Sequence, residues 1–208
     1  QERAELNSQR EKIEEERFKW LEYYKLNFKG YWYTTLVGNL VLRTNAEFVF
    51  LGNYNSDVGD VPFERFYVGG DGMGNFTLDG RDIIQLRGYE NQSLTPYSTN
   101  PLTGRSEQNG GLVYNKFSLE LRYPLTLKPS ASIYGLAFLE GGNAFNNFQE
   151  FNPFQIKRSA GVGLRIFMPA FGLLGIDFGY GFDEDLRPQS IGTGPSGWQT
   201  HFIIGQQF

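Results

Sequence analysis

The sequence predicts an all-β fold, and specifically a transmembrane antiparallel β-barrel. Three observations indicate this fold. Apolar and polar residues alternate with a period of two in seven separate segments. The apolar face of these segments is bulky along its length, while the other face carries Lys, Arg, Glu and Gly. Short and long connections between the segments alternate strictly, as in outer-membrane barrels with short periplasmic turns and longer extracellular loops.

Composition limits the class of protein further. The 208 residues are 16% aromatic, yet the mean hydropathy is −0.40, which suits strands with two unlike faces. No apolar run reaches the roughly 18 residues of a membrane-spanning helix. The absence of Cys excludes disulfide frameworks and thiol chemistry, and a net charge of −4 argues against nucleic acid as a partner. Gln1 opens a polar stretch without a signal peptide, so we expect a mature piece or a fragment.

The elements follow in order along the chain. Residues 1–17 are dense in Glu, Arg and Gln with few apolar residues, which predicts a solvated helical segment. Residues 52–111 break the alternation and are rich in Gly, Asn, Asp and Pro, which predicts a long loop. The predicted strands are 18–33, 40–51, 115–125, 131–145, 159–168, 174–183 and 198–208.

Parity assigns side chains to the two faces of the predicted wall, because successive strand residues point to opposite sides. We expect the lumen face to carry Lys25, Lys29, Glu120, Arg165 and Asp177. We expect the lipid face to carry Phe28, Leu119, Leu121, Leu164, Ile176 and Phe178. An error of one residue in register would exchange every member of the two sets.

Aromatic spacing favours a membrane barrel over the alternative, a soluble β-sandwich. Trp20 and Trp32 share parity, and their spacing corresponds to about 30 Å of height in a tilted strand, which suits two interfacial girdles. Trp198 and Phe208 repeat the arrangement. Seven strands would leave two unpaired edges in lipid, where each unsatisfied backbone group costs several kcal/mol. We therefore expect the remaining strands on residues outside this sequence or on another chain.

One compact motif stands inside the long loop. This motif, LRGYE at 86–90, resembles the Val/Ile-Arg-Gly-Phe/Tyr signature in loop six of BamA-type proteins, the outer-membrane assembly factors and their secretion-pore relatives. Other blocks resemble the family in the family's order, so the resemblance covers essentially all of 18–208. These blocks are FYVGGDGMG at 66–74, SLELRYPL at 118–125, AFLEGGNAF at 137–145, GVGLRIFMPAFGLLGIDFGYGF at 161–182 and HFIIGQQF at 201–208.

The resemblance implies a particular place in a larger fold. The chain would supply strands from about ten to sixteen of a barrel of about sixteen strands, with 52–111 folded into the lumen. Residues 1–17 would belong to the preceding extracellular loop and look like an insertion. The C-terminus would lie on the periplasmic side. The sequence departs from the family at Glu140, where Asp is commoner.

The resemblance also implies a site around the signature residues Leu86, Arg87, Gly88, Tyr89 and Glu90. Arg87 would reach two acids, Glu120 and Glu140, because a guanidinium fork can engage two carboxylates. Gly88 would permit a close backbone approach or a positive φ. Tyr89 would pack the tip of the loop against the wall.

By resemblance, the function is to fold and insert proteins into the bacterial outer membrane. The mechanism would be β-augmentation at a weak barrel seam, with no enzymatic activity, cofactor or metal. The expected partners are unfolded outer-membrane proteins, accessory lipoproteins, outer-membrane lipid, and the N-terminal strands and periplasmic repeats outside this sequence. The seam strand and C-terminal insertion signal would comprise Phe202, Ile204, Gly205 and Phe208.

Other functions are weighed against this one. A translocation pore of the same superfamily, of the two-partner secretion or translocation and assembly type, shares the loop signature. A structural or adhesive barrel is a further alternative. An enzyme or metal site is unsupported because His201 is the only His and there is no Cys. GGDGMG at 69–74 lacks the Lys-Ser/Thr of a phosphate-binding loop.

Overall fold

The structure is a computed structural model that describes residues 22–54, 61, 64–72, 81–99, 104, 106–128, 131–169, 172–187 and 195–205. The predicted helical segment 1–17 lies outside the described residues, as do Trp20 and Phe208. The two aromatic girdles therefore stay predictions, although Trp32 and Trp198 are both strongly exposed. No helix within the described ranges is long and apolar enough to cross a membrane.

The described residues form seven long strands and four short ones. The long strands are β1 (Tyr23–Thr35), β2 (Val41–Asn53), β7 (Val113–Lys128), β8 (Ala131–Phe145), β9 (Lys157–Met168), β10 (Gly172–Glu184) and β11 (Pro195–Gly205). The short strands are β3 (Phe66–Val68), β4 (Asp82–Ile84), β5 (Tyr97–Thr99) and β6 (Ser106–Gln108). The long strands make one antiparallel sheet in the order β1-β2-β7-β8-β9-β10-β11, which confirms the predicted all-β antiparallel wall.

The ends of the strands differ modestly from the prediction. β1 is observed from Tyr23, and residues 18–21 of the predicted strand lie outside the described residues; β11 begins at Pro195 instead of residue 198. β7 continues past Pro124 to Lys128. Its register with β8 shifts between Pro124 and Thr126. The shift explains the extension, because a bulge accommodates a proline that cannot donate to the ladder.

The two faces of the sheet follow the predicted period of two. In β7, Ser118 and Glu120 are buried, whereas Leu119 and Leu121 are exposed. In β10, Asp177 is fully buried and the next residue, Phe178, is exposed. We call the polar face, on which the loop lies, the inner face, and the apolar face the outer face. A bulky apolar outer face is what a strand in contact with lipid requires.

The sheet is open, as predicted for an incomplete barrel wall. β1 and β11 are its edges, and in the part of the chain that the structure describes β1 pairs only with β2 and β11 only with β10. The ladder between β10 and β11 is irregular at one end, where the register shifts between Gly181 and Glu184. Gly197 of β11 has a φ of 67° beside this shift, a conformation that favours glycine.

We call the connection from β2 to β7 the long loop, and its described parts lie on the inner face. Within it β3 pairs with β4 in parallel, and β5 pairs with β6 in antiparallel. A continuous apolar cluster joins the loop to the wall, and this contact fixes where the tip of the loop points. Its buried members are Val49, Leu51, Phe66, Val68, Leu86, Tyr89, Leu94, Leu112, Val113, Tyr114, Ala144 and Phe145.

Candidate functional site: the loop tip and its charge cluster

The tip of the long loop, residues 86–90, is held by backbone hydrogen bonds. The backbone N–H of Gly70 donates to the carbonyl of Leu86 at 3.1 Å, and the N–H of Leu86 donates back at 3.2 Å. The N–H of Leu94 donates to the carbonyl of Val68 at 3.0 Å. The Leu86 side chain is completely buried in the apolar cluster. This support presents Arg87 to the wall in a fixed position.

Arg87 lies in a buried charge cluster, which we define as Arg87, Arg165, Glu120, Glu140 and Asp177. Its Nη2 donates to Glu120 Oε1 and to Glu140 Oε1, both at 2.6 Å. Its Nη1 donates to Asp177 Oδ2 at 3.1 Å. The guanidinium also stacks on Phe138, with Cζ 3.8 Å from the ring centroid. The structure thus brings Arg87 together with both acids named from the sequence and adds a third.

The environment of Arg87 keeps the guanidinium charged. Arg87 is only 2% exposed, and burial by itself disfavours a charge. The fields of Glu140, Glu120 and Asp177 outweigh that burial and hold the pKa of Arg87 above its ordinary value. A buried cation with three carboxylates is a tethering arrangement, since removing the cation leaves three buried acids without the counter-charge that they share.

Arg165 and Asp177 link the loop to the β9–β10 hairpin. Both nitrogens of the Arg165 fork donate to the Asp177 carboxylate, at 2.5 and 2.6 Å. The sequence predicts both residues on the lumen face but does not predict their contact with the loop. The glycines opposite these two residues are the available sequence signal. In the β9–β10 ladder Asp177 pairs with Gly163, and Arg165 pairs with Gly175. Each glycine leaves room for the opposite long side chain.

The cluster extends along the inner face through shared carboxylates. Glu120 Oε2 accepts from Arg122 Nε at 2.9 Å and lies 3.4 Å from Arg43 Nη1. Lys116 Nζ lies 3.9 Å from Glu140 Oε1. A cavity of about 280 Å³ adjoins these groups, and its wall is built from polar and charged side chains. The cluster is therefore secluded on the loop side and bordered by a polar cavity on the other.

Gly88 makes a contact with the wall that only glycines allow. Its φ is 85°, and a Cβ there would lie 2.8 Å from Ser159 Cβ and 3.0 Å from the carbonyl carbon of Tyr180. On β10, a Cβ at Gly179 would lie 2.7 Å from Gly88 N, and a Cβ at Gly181 would lie 2.5 Å from Gly88 O. The backbone of the tip therefore rests directly on the backbone of β10.

The two residues after Gly88 differ in their environments. Tyr89 is completely buried, and its hydroxyl donates to the carbonyl of Arg158 at 2.7 Å. Burial raises the pKa of Tyr89 to about 12. Glu90 is exposed and accepts from Arg187 Nη1 at 2.6 Å. Arg187 also pairs with Asp185, so the contact between Glu90 and Arg187 joins the loop tip to the connection between β10 and β11.

The last strand carries the residues predicted for the insertion signal. Phe202 and Ile204 project from the outer face and are 55% and 69% exposed, whereas Gly205 is half-buried. Phe208 lies outside the described residues. His201, for which the sequence supports neither a catalytic nor a metal role, is buried and accepts a hydrogen bond from the backbone N–H of Gly88 at 2.8 Å. No sequence motif marks this contact, because it depends on the register of β11.

An open antiparallel wall with an apolar outer face and an inward loop tethered by a buried Arg defines a class, the outer-membrane β-barrel with a lumenal loop. The Omp85 superfamily domain matches residues 12–208, and the chain belongs to this superfamily. The structure is similar to BamA from Haemophilus ducreyi lacking POTRA domains 1–3, with a TM-score of 0.57 and 21% sequence identity.

The match with BamA covers most of this chain and a smaller part of the other. It covers 88% of this chain and 35% of the BamA chain, so the chain spans about a third of the length of that structure. A structural likeness at 21% sequence identity shows that this chain and the matched part of BamA share a fold. The comparison with curated proteins found no match.

Proposed function

We propose that this chain is the C-terminal part of the barrel of the central subunit of an outer-membrane β-barrel assembly machinery. In this proposal the complete protein folds and inserts outer-membrane proteins at a seam beside β11, without enzymatic chemistry. Its fold is that of an Omp85-type barrel, a class that includes insertases and translocators. The proposed insertase function is one of the functions found in that class.

The observation that carries this proposal is the edge strand β11. Within the described residues β1 and β11 are both edges, and of the two only β11 has an irregular ladder, with a register shift between Gly181 and Glu184 of β10 next to Gly197. An unpaired edge offers a row of backbone donors and acceptors to an incoming strand, which is the basis of β-augmentation. In lipid such an edge must be paired, so a client strand and a barrel strand would compete for it.

The charge cluster has a complementary role in this proposal. It ties the loop tip to β7 through Glu120, to β8 through Glu140 and to β10 through Asp177. A tether across these strands stiffens the wall up to the strand that neighbours the edge. The edge is then free to exchange partners while the rest of the wall keeps its shape.

The partners and location follow from the same proposal. The clients are unfolded outer-membrane proteins, and the lipid partner contacts the apolar outer face. Accessory lipoproteins and periplasmic repeats would bind or extend the complete protein, whose remaining strands lie outside this sequence. The protein would reside in the outer membrane of a Gram-negative bacterium with the C-terminus of this chain on the periplasmic side.

Site-specific disulfide cross-linking in the complete protein tests this function. Thr200→Cys places a thiol on the exposed outer face of β11, and this stretch of chain contributes no other Cys. We expect a disulfide with a client that carries a Cys in its terminal strand. The matched control is Leu139→Cys, which is equally on the outer face but lies on β8, whose two edges are both paired. This control should not cross-link.

The same experiment separates the alternative functions. A translocation pore would pass its client through the lumen, so cross-links would form at the inner-face position Lys29→Cys and not at Thr200→Cys. A structural barrel would cross-link a client at neither position. Either of these patterns would contradict the insertase proposal.

A further inference from the structure

One hydrogen bond joins the loop tip directly to the edge strand. The backbone N–H of Gly88 donates to Nε2 of His201 at 2.8 Å. His201 is 4% exposed and is the only His of the chain. The charge cluster itself involves β7, β8, β9 and β10, so this bond extends the tether to β11.

We infer that His201 is a positioning residue that holds β11 against the loop tip, and that it does so only while its imidazole is neutral. The inference deepens the proposed function, because β11 is the strand with which clients are proposed to pair. The contact itself does not depend on that function.

The protonation requirement follows from the direction of the hydrogen bond. Gly88 supplies the N–H, so Nε2 must present a lone pair, and the ring proton then resides on Nδ1. A second proton would turn Nε2 into a donor that faces another donor. His is the side chain whose ordinary pKa places this change between about pH 5 and 8.

The charged groups around the imidazole come from three elements. Asp177 of β10 is opposite His201 in the ladder, Glu140 comes from β8, and Asp71 and Arg87 come from the long loop. Asp177 and Glu140 are already paired with Arg87, and Asp177 also with Arg165. An imidazolium would therefore meet acids that are engaged elsewhere, while its bond to Gly88 is lost.

Two other contacts between the loop and this end of the chain do not depend on His201. The N–H of Leu186 donates to the carbonyl of Ser93 at 3.0 Å, and Arg187 pairs with Glu90. Both involve Leu186 and Arg187, which follow β10 in the described part of the connection to β11. Protonation of His201 would thus separate the loop tip from β11, which keeps its ladder with β10, and leave the contacts of Leu186 and Arg187 in place.

Hydrogen exchange in the complete protein, reconstituted in lipid nanodiscs, tests this inference. Exchange is measured at about pH 4.5 and 7.5 for peptides that cover the loop tip and β11, with intrinsic chemical rates divided out, since burial disfavours the charged imidazolium. In the wild type we expect protection of Gly88 to fall roughly tenfold at the lower pH, the effect of losing one buried hydrogen bond. His201→Gln should keep protection at both pH values, because its amide oxygen accepts and does not titrate. His201→Phe should lose protection at both, because its ring has no acceptor.

Two results would overturn the inference. One is a pH dependence in His201→Gln equal to that of the wild type. The other is full protection of Gly88 in a folded His201→Phe protein. If His201→Phe fails to fold, as judged by heat-resistant mobility in gels, the comparison between wild type and His201→Gln decides alone. The measurement needs no client, so a failure of the insertase proposal would appear in the cross-linking experiment and leave this result intact.

Discussion

Glu140 accepts two hydrogen bonds from Arg87: its Oε2 from the backbone N–H at 2.9 Å and its Oε1 from Nη2 at 2.6 Å. One carboxylate therefore fixes both the backbone and the side chain of the same residue. Arg87 cannot leave Glu140 unless the turn that carries it also moves. Changes in the wall and changes in the loop should consequently affect the same contact.

Removal of the Arg87 side chain should loosen the loop. Arg87→Ala leaves three buried acids without their shared cation, which costs roughly 3–5 kcal/mol in a secluded site and less where water in the lumen screens the charges. Arg87→Lys should recover little, because a point charge does not reproduce the fork that reaches acids on both sides. The loss of stability is measured as heat-resistant mobility of the complete barrel in gels. The loss of function is measured as growth with the variant as the only copy.

Arg87 and Glu120 should behave as one network. Arg87→Ala removes the donor of their hydrogen bond, and Glu120→Gln removes the negative charge that strengthens it, so the second change adds less than its own cost. A double-mutant cycle on the thermal midpoint of the barrel measures the difference. Strictly additive costs would argue against a shared network.

The double contact at Glu140 predicts a specific cost. Glu140→Gln keeps one carbonyl oxygen, so either the backbone N–H or the guanidinium of Arg87 loses its acceptor, at about 1.5–3 kcal/mol for a charged partner. The matched control is Glu150→Gln, an exposed residue in the connection after β8, which should change stability by less than about 0.5 kcal/mol. Unfolding in denaturant gives both values. Equal effects at the two positions would contradict the role of Glu140.

The Arg165–Asp177 pair predicts a rescue. Asp177→Asn leaves Arg165 and Arg87 facing each other with one acid fewer, a loss of roughly 3–5 kcal/mol for a broken buried pair. Adding Arg165→Gln removes the extra cation, so the double variant should be more stable than Asp177→Asn alone. Thermal midpoints of the three proteins check this order. A double variant less stable than Asp177→Asn would rule out charge balance as the reason.

The glycine contact on β10 predicts a steric effect without any change in charge. Gly179→Ala would place a Cβ 2.7 Å from Gly88 N and 2.9 Å from Gly88 Cα, so the tip must withdraw from the wall. Limited proteolysis should then cut the loop at least several-fold faster. Gly135→Ala on β8 is the control, because its added Cβ meets nothing within 4 Å. Similar cleavage rates in both variants would show that the tip does not rest on Gly179.

Glu90, the last residue of the signature, should contribute little to the stability of the barrel. Glu90 is about half exposed and Arg187 partly so, and exposed pairs are worth roughly 0.2–1 kcal/mol. We expect Glu90→Gln to lower stability by less than about 1 kcal/mol, with the deficit shrinking in high salt. Denaturant unfolding at two salt concentrations measures it. A loss comparable to that of Arg87→Ala would contradict this ranking of the signature residues.

The wall was predictable because one local rule governs it. Period two assigned Glu120, Asp177 and Leu119 to their faces, since each side chain of a strand is fixed by its parity alone. The seven strands and the open edges followed from the same rule and from the need to satisfy the backbone in lipid. The end of β7 was missed because a bulge at Pro124 breaks the rule locally.

The site was only partly predictable, because its contacts join residues from different strands. The resemblance pointed to Glu120 and Glu140 as partners of Arg87, whereas Asp177 and His201 were not linked to the loop. Those two contacts depend on the register of β10 against β9 and β11, which alternation does not fix. The glycines that face Asp177 and Arg165 across the hairpin were the available clue.

The contacts of the tip are far apart along the chain. Arg87 and Gly88 bond partners that are 33, 53, 90 and 113 residues further on. During synthesis and export the tip therefore appears long before its last partners. A prematurely terminated chain that stops before β10 has an Arg87 with fewer acids and a Gly88 amide without its acceptor. The tip is in this way fully tethered only in a chain that has been translated through β11.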